Sequence, residues 1–161
     1  MRTGLLLLLT LLTGALHAQT PAKKIPPFTF YQLNSTPFSN SNLPKGKKIL
    51  FVFFDTGCEH CQRSVARYNQ HLAELRNAAV YFVTLDVKAK IDPFMDKYGN
   101  NISKEKNVLL LQDRQFQFIT RFQPKKYPSM FLYSAQQQLL FYSDEETAVD
   151  TILQLVKAKA G

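Results

Sequence analysis

Residues 49–61 read Ile49-Leu50-Phe51-Val52-Phe53-Phe54-Asp55-Thr56-Gly57-Cys58-Glu59-His60-Cys61, and one change of pattern inside that stretch decides the fold. Ile49 to Phe54 is an unbroken apolar run bounded by Gly46 and Gly57. A run of that length and composition suits a strand buried on both faces. After Gly57 the period lengthens. Val65, Tyr68, Leu72 and Leu75 recur at helical spacing, with Arg63, Arg67, Glu74 and Arg76 between them. The spacing predicts a helix from near Cys58 to near Asn77. The two cysteines of the chain therefore fall together where a buried strand passes into a helix.

Two cysteines placed at random would stand three apart about 1% of the time, so the spacing itself is a signal. At a helix N-terminus, unpaired backbone N–H groups and the positive end of the helix dipole favour a thiolate at the first cysteine. That thiolate can attack a disulfide in another molecule. The second cysteine, one turn along, can resolve the mixed disulfide. Three other uses of the pair compete. A zinc site needs about four ligands, and only Cys58, Cys61, His60 and His71 are at hand beyond the N-terminal stretch. Covalent haem needs a histidine directly after Cys61, where Gln62 stands. A purely structural bridge would close too short a loop to constrain the unfolded chain much. No metal and no cofactor are expected.

Outward from this stretch, strands and helices alternate. Phe28–Leu33 reads as a strand, and 34–43 as a polar turn region with a short extended piece. Val80–Leu85 is the next strand. Asp92-Pro93 opens a short helix through Tyr98, stopped by Gly99. Val108–Leu111 is a strand, and Phe116–Phe122 a short helical segment before Pro124. Met130–Tyr133 and Leu139–Tyr142 form an antiparallel hairpin. Ser143 and Glu146 have the spacing of a capping box, with Ala148, Ile152, Leu155 and Val156 as the apolar stripe of a last helix. The expected class is α/β with a mixed central sheet flanked by helices, in one domain over 28–161.

At 161 residues, 45% apolar and 20% charged, the chain is neither disordered nor a disulfide-dense miniprotein. Burial must stabilise it, and 13 Phe and 7 Tyr supply the bulk. Residues 1–18 have the layout of a secretory signal peptide: Arg2, an apolar stretch from Leu5, then small residues up to Ala18. That stretch is shorter than the about 20 residues a membrane-spanning helix needs. Residues 19–27, with Pro21, Pro26 and Pro27, read as an extended leader. The net charge of +8 is spread among carboxylates along the chain, which fits a solvated surface and not a nucleic-acid partner.

With these motifs the chain resembles the thioredoxin superfamily, and within it the exported TlpA-like and redoxin-like thiol–disulfide proteins, over about residues 28–158. The segment Tyr127-Pro128-Ser129-Met130-Phe131-Leu132 is the second anchor of the resemblance, and 91–113 matches the helix–strand unit that TlpA-like proteins insert. The resemblance implies a thioredoxin fold and an oxidoreductase with Cys58 as nucleophile and Cys61 as resolving thiol. It implies a cis bond before Pro128, with Tyr127 and Pro128 as the platform for an extended substrate. Partners would be protein thiols or disulfides, including a membrane redox partner, and the place exported, periplasmic in a Gram-negative cell.

His60 is expected to tune the pair by stabilising the Cys58 thiolate, with Glu59 pulling the other way. Three positions depart from the family pattern: Gly57 replaces Trp, Val52 replaces a buried carboxylate, and Ser64 replaces Glu. Two other readings remain. One is a thioredoxin-fold binding or chaperone module with a closed bridge. The other is a redoxin-type peroxidase, disfavoured because Thr56 lies two residues before Cys58 and no proline precedes it in the usual pattern.

Overall fold

The computed structural model describes residues 20–158; the expected signal peptide lies outside the described residues. A seven-stranded mixed sheet forms the centre, in the order β2-β1-β5-β4-β3-β6-β7. The run 49–54 lies mostly in β3 (Lys48–Phe53), which is buried from Ile49 onward and sits between β4 (Ala78–Thr84) and β6 (Ser129–Tyr133). β3 pairs parallel with β4, and β4 parallel with β5 (Val108–Gln112). β6 and β7 (Leu139–Ser143) are the antiparallel hairpin. β1 (Thr29–Gln32) runs antiparallel to β5 and to β2 (Pro37–Ser39). Lys23 and Ile25 bond to Leu139 and Gln137, which ties the segment before β1 to the hairpin.

The continuous apolar pattern of β3 follows from its two faces. Leu50, Val52 and Phe54 join one buried cluster with Cys61, Val65 and Tyr68 of α1 (Glu59–Gln70) and with Phe94 of α3 (Lys88–Tyr98) and Ile152 of α4 (Val149–Lys157). Ile49, Phe51 and Phe53 face a second cluster rich in aromatic rings. There Phe118 and Phe122 stack at 4.3 Å, and both pack against Phe51. Period-2 alternation put one set of side chains on each side, and both sides are covered.

Several expected boundaries move, each for a local reason. The helix expected over 58–77 breaks at His71, whose backbone leaves the helical region at φ −122° and ψ 32°. Its side chain bonds Glu74 at 3.0 Å, and a short α2 (Leu72–Leu75) follows. The helix expected to open at Asp92-Pro93 starts four residues earlier, at Lys88, so Pro93 lies inside it. Lys88 pairs with Asp92 one turn along, and Lys90 with Asp86 at 3.3 Å, which supports the earlier start. Gly99 ends α3 against α1: a Cβ there would stand 2.4 Å from Met95 Cε and 3.1 Å from Val65. The segment 116–122 is a wide π-type turn over Phe118–Phe122, with Phe116 outside it at φ 56°.

The capping box does not form. Ser143 closes β7, and its hydroxyl accepts from the Glu145 amide at 3.1 Å. Glu146 opens a 3₁₀ turn ahead of α4, and its carboxylate is engaged elsewhere. The buried stripe of α4 is Val149, Ile152, Leu153 and Val156, with Ala148 and Leu155 at its rim.

Candidate active site

β3 ends on the loop 54–58, and α1 begins directly after it. Three sets of bonds shape that loop. The Thr56 amide and hydroxyl both donate to Asp86 Oδ2, at 2.9 and 2.8 Å, which pins the loop to the end of β4. The Gly57 amide donates to Asp55 Oδ1 at 2.8 Å, and the Cys58 amide to the Asp55 carbonyl at 3.3 Å. A Cβ at Gly57 would meet Asp55 Oδ1 at 3.2 Å, so the missing tryptophan leaves room for this turn. Burial works against the Asp86 charge, but the two Thr56 bonds and Lys90 outweigh it and hold its carboxyl below the ordinary range.

Cys58 is the N-cap of α1. Its sulfur accepts the Cys61 amide at 3.4 Å, the place a serine or aspartate oxygen usually fills. Both cysteines are free thiols; Cys58 is partly exposed and Cys61 fully buried. Burial pushes the Cys61 thiol up, and the neighbouring Cys58 sulfur adds to the rise while a bond with the Asp55 backbone opposes it. The two thiols thus differ sharply in access, and burial opposes ionisation at Cys61. An attacking thiolate at Cys58 and a second sulfur held in reserve are within the chemistry of this arrangement.

The Tyr127–Pro128 peptide is cis. Ser129 pairs with Phe53 across β6 and β3, so Tyr127 and Pro128 stand beside the loop that leads into Cys58. The Tyr127 ring packs on Phe53 at 4.7 Å. Burial first, then the Asp55 charge, pushes its hydroxyl up to about 12.

His60 and Glu59 occupy the first turn of α1. Glu59 is largely in solvent, 3.9 Å from Arg63. His60 is turned toward a residue that its spacing assigned to a helix cap and not to the site: its Nδ1 lies 2.8 Å from Glu146 Oε2 and 2.9 Å from Arg63 Nη2. Arg63 Nε also donates to both oxygens of Glu146 at 2.9 Å. Sequence spacing could not bring Glu146 to the site, because it reaches His60 across 86 positions. Asp86 was missed for the same reason. At the positions that depart from the family pattern, Val52 is sealed in the core, and Ser64 is buried with no hydrogen-bond partner for its hydroxyl among the described residues. Among those residues no cluster of three or more His, Cys, Asp or Glu could hold a metal, and no helix is long and apolar enough to cross a membrane.

A mixed sheet with flanking helices, a Cys-x-x-Cys pair capping a helix and a cis-proline strand beside it define a redox protein of thioredoxin fold. The chain belongs to the AhpC/TSA family, which matches residues 21–142. No curated protein matches it. Solved structures with the same fold include a secreted disulfide oxidoreductase of Mycobacterium tuberculosis homologous to E. coli DsbE, at 20% identity over 82% of this chain and 96% of that one, TM-score 0.66. The exposed lipoprotein thioredoxin Etrx1 of Streptococcus pneumoniae is 19% identical over 82% and 98%, TM-score 0.63. Peroxidoxin BcpB of M. tuberculosis is 16% identical over 90% and 100%, TM-score 0.70. Likeness at these identities shows the fold. Membership of the AhpC/TSA family places the chain among oxidoreductases.

Proposed function

We propose that the chain is an exported thiol–disulfide oxidoreductase whose partners are protein thiols and disulfides. The observation that carries this reading is the asymmetry of the pair: Cys58 caps α1 and reaches solvent, whereas Cys61 is buried one turn on. In the reductive direction the Cys58 thiolate attacks one sulfur of a partner disulfide. A mixed disulfide forms and one partner thiolate leaves. Cys61, having given up its proton, then attacks the Cys58 sulfur, which closes the Cys58–Cys61 bond and releases the second partner thiol. Two electrons pass to the partner, and the reverse sequence oxidises a partner dithiol.

Tyr127 and Pro128 border the loop before Cys58, where the backbone of an extended partner segment would lie. The apolar stretch before Ala18 supports export, and a membrane redox partner would return the pair to its working state. No metal or cofactor enters these steps.

Turnover of insulin disulfides with dithiothreitol tests the reading. The chain should accelerate the reduction, and changing either cysteine to serine should abolish the effect. Rapid consumption of hydrogen peroxide with no effect on insulin would favour the peroxidase reading. Inertness in both assays, with the bridge closed, would favour a binding module.

A further inference from the structure

Three side chains meet beside the dithiol: His60 and Arg63 on α1, and Glu146 in the turn before α4. The hydrogen accounting at His60 Nδ1 is the informative point. That nitrogen lies 2.8 Å from a Glu146 oxygen, which can only accept, and 2.9 Å from Arg63 Nη2, which can only donate. It carries either a hydrogen or a lone pair, so one contact excludes the other. Arg63 also binds Glu146 through Nε, which leaves the carboxylate as the hub of the cluster. The other charges near it are Glu59, 3.9 Å from Arg63, the Lys126–Glu145 pair, and Arg67 with Asp150 one turn further along.

We propose that Glu146 is a positioning residue for the dithiol: by taking the hydrogen of His60 Nδ1 it fixes the form of the imidazole that supports a thiolate at Cys58. This deepens the proposed function and rests on its reading of Cys58 as the reacting thiol. With Nδ1–H given to Glu146, the lone pair of the ring lies on Nε2, so any second proton would sit there and make the ring a cation beside the carboxylate. Positive charge in the first turn of α1 adds to the helix N-terminus, which already favours the thiolate. Arg63 holds Glu146 in place and competes for the same nitrogen. The hydrogen bonds from Arg63, set against some lost hydration, and then that of His60 hold the Glu146 carboxyl below its ordinary range, so it is charged at neutral pH.

The sign of one substitution separates this from a plain charge effect. Removing a nearby negative charge should by itself make a thiolate easier to form. If Glu146 acts through His60, Glu146→Gln should do the reverse. The test compares the reduced full chain with its Glu146→Gln, His60→Ala and doubly substituted variants, measuring the rate of Cys58 alkylation by iodoacetamide at neutral pH. Glu146→Gln should slow the reaction severalfold, and should not slow it once His60 is alanine. The equilibrium constant for reduction of the bridge by glutathione should fall by a similar factor, and Glu146→Asp should recover part of both effects. A faster or unchanged rate in Glu146→Gln, or equal slowing with and without His60, would overturn the proposal.

Imidazole nitrogen NMR on the unsubstituted chain gives a second reading that needs no variant. A hydrogen on Nδ1 of neutral His60 is expected, and a hydrogen on Nε2 alone would overturn the assignment. Both the alkylation and NMR measurements stand even if the pair never forms a bridge, so failure of the redox reading and failure of the role given to Glu146 are told apart.

Discussion

The Cys61 amide donates to the Cys58 sulfur across 3.4 Å, so the helix that buries one cysteine is capped by the other. An N-cap sulfur sits where backbone donors and the helix dipole favour negative charge. Cys61 has no such access: it is fully buried, and burial pushes its thiol up. Alkylation of the reduced protein at neutral pH should therefore modify Cys58 well before Cys61. Peptide mass mapping reads the order directly, and faster labelling of Cys61 would reverse the two roles.

His60 should act on the couple through charge or a donated hydrogen. Its alanine variant should make the disulfide harder to reduce, by some tens of millivolts, since about 1.4 kcal/mol corresponds to about 30 mV for two electrons. His71 is the control. It lies at the far end of α1 and is bound to Glu74 at 3.0 Å, so His71→Ala should leave the potential unchanged. Equal shifts from both variants, or none from His60→Ala, would make His60 a surface residue.

Asp86 holds the loop before Cys58 from outside it. Asp86→Ala removes the acceptor of two Thr56 donors, and hydrogen bonds to a charged group are worth about 1.5–3 kcal/mol each at most. A loss of about 1–3 kcal/mol is expected in denaturant titration. The contribution also has a pH signature. Because the folded carboxyl is held below its ordinary range, the stabilisation is present above the unfolded value of about 3.9 and is lost as pH falls through the lower folded value. The wild type should lose stability across that acid window more steeply than the variant; parallel curves would contradict the assignment.

Alkaline stability should depend on the aromatic cores. Burial pushes Tyr81 and Tyr127 up to about 12, and Tyr68 and Tyr133 upward as well. A raised folded value means the stabilisation is whole below the unfolded value of about 10 and is lost as pH rises through the folded one. Tyrosinate absorbance should thus rise late and together with unfolding. Ionisation of all 7 tyrosines near pH 10 without unfolding would show that these rings are not sealed.

The order of strands and helices was legible because β3 and its neighbours are continuous apolar runs buried on both faces and α1 carries a helical stripe. The dithiol and Pro128 were legible because each lies inside a short motif. The partners of those residues were not. Glu146 has local spacing that suggests a helix cap, yet a contact across 86 positions claims its carboxylate. Asp86 follows β4 with no motif around it, and only the parallel pairing of β3 and β4 brings it to Thr56. Pro93 misled for a related reason: the helix around it is held by burial of Ile91, Phe94 and Met95 in the core, which local spacing does not show.

On the proposed mechanism, Cys58 alone makes the bond to a partner and Cys61 alone releases it. Cys61→Ser should therefore accumulate mixed disulfides through Cys58 when mixed with a disulfide-containing protein such as insulin, visible as reducible adducts by mass spectrometry. Cys58→Ser should accumulate none, because its remaining thiol is buried. Adducts of equal yield in both variants, or adducts confined to Cys58→Ser, would contradict the account.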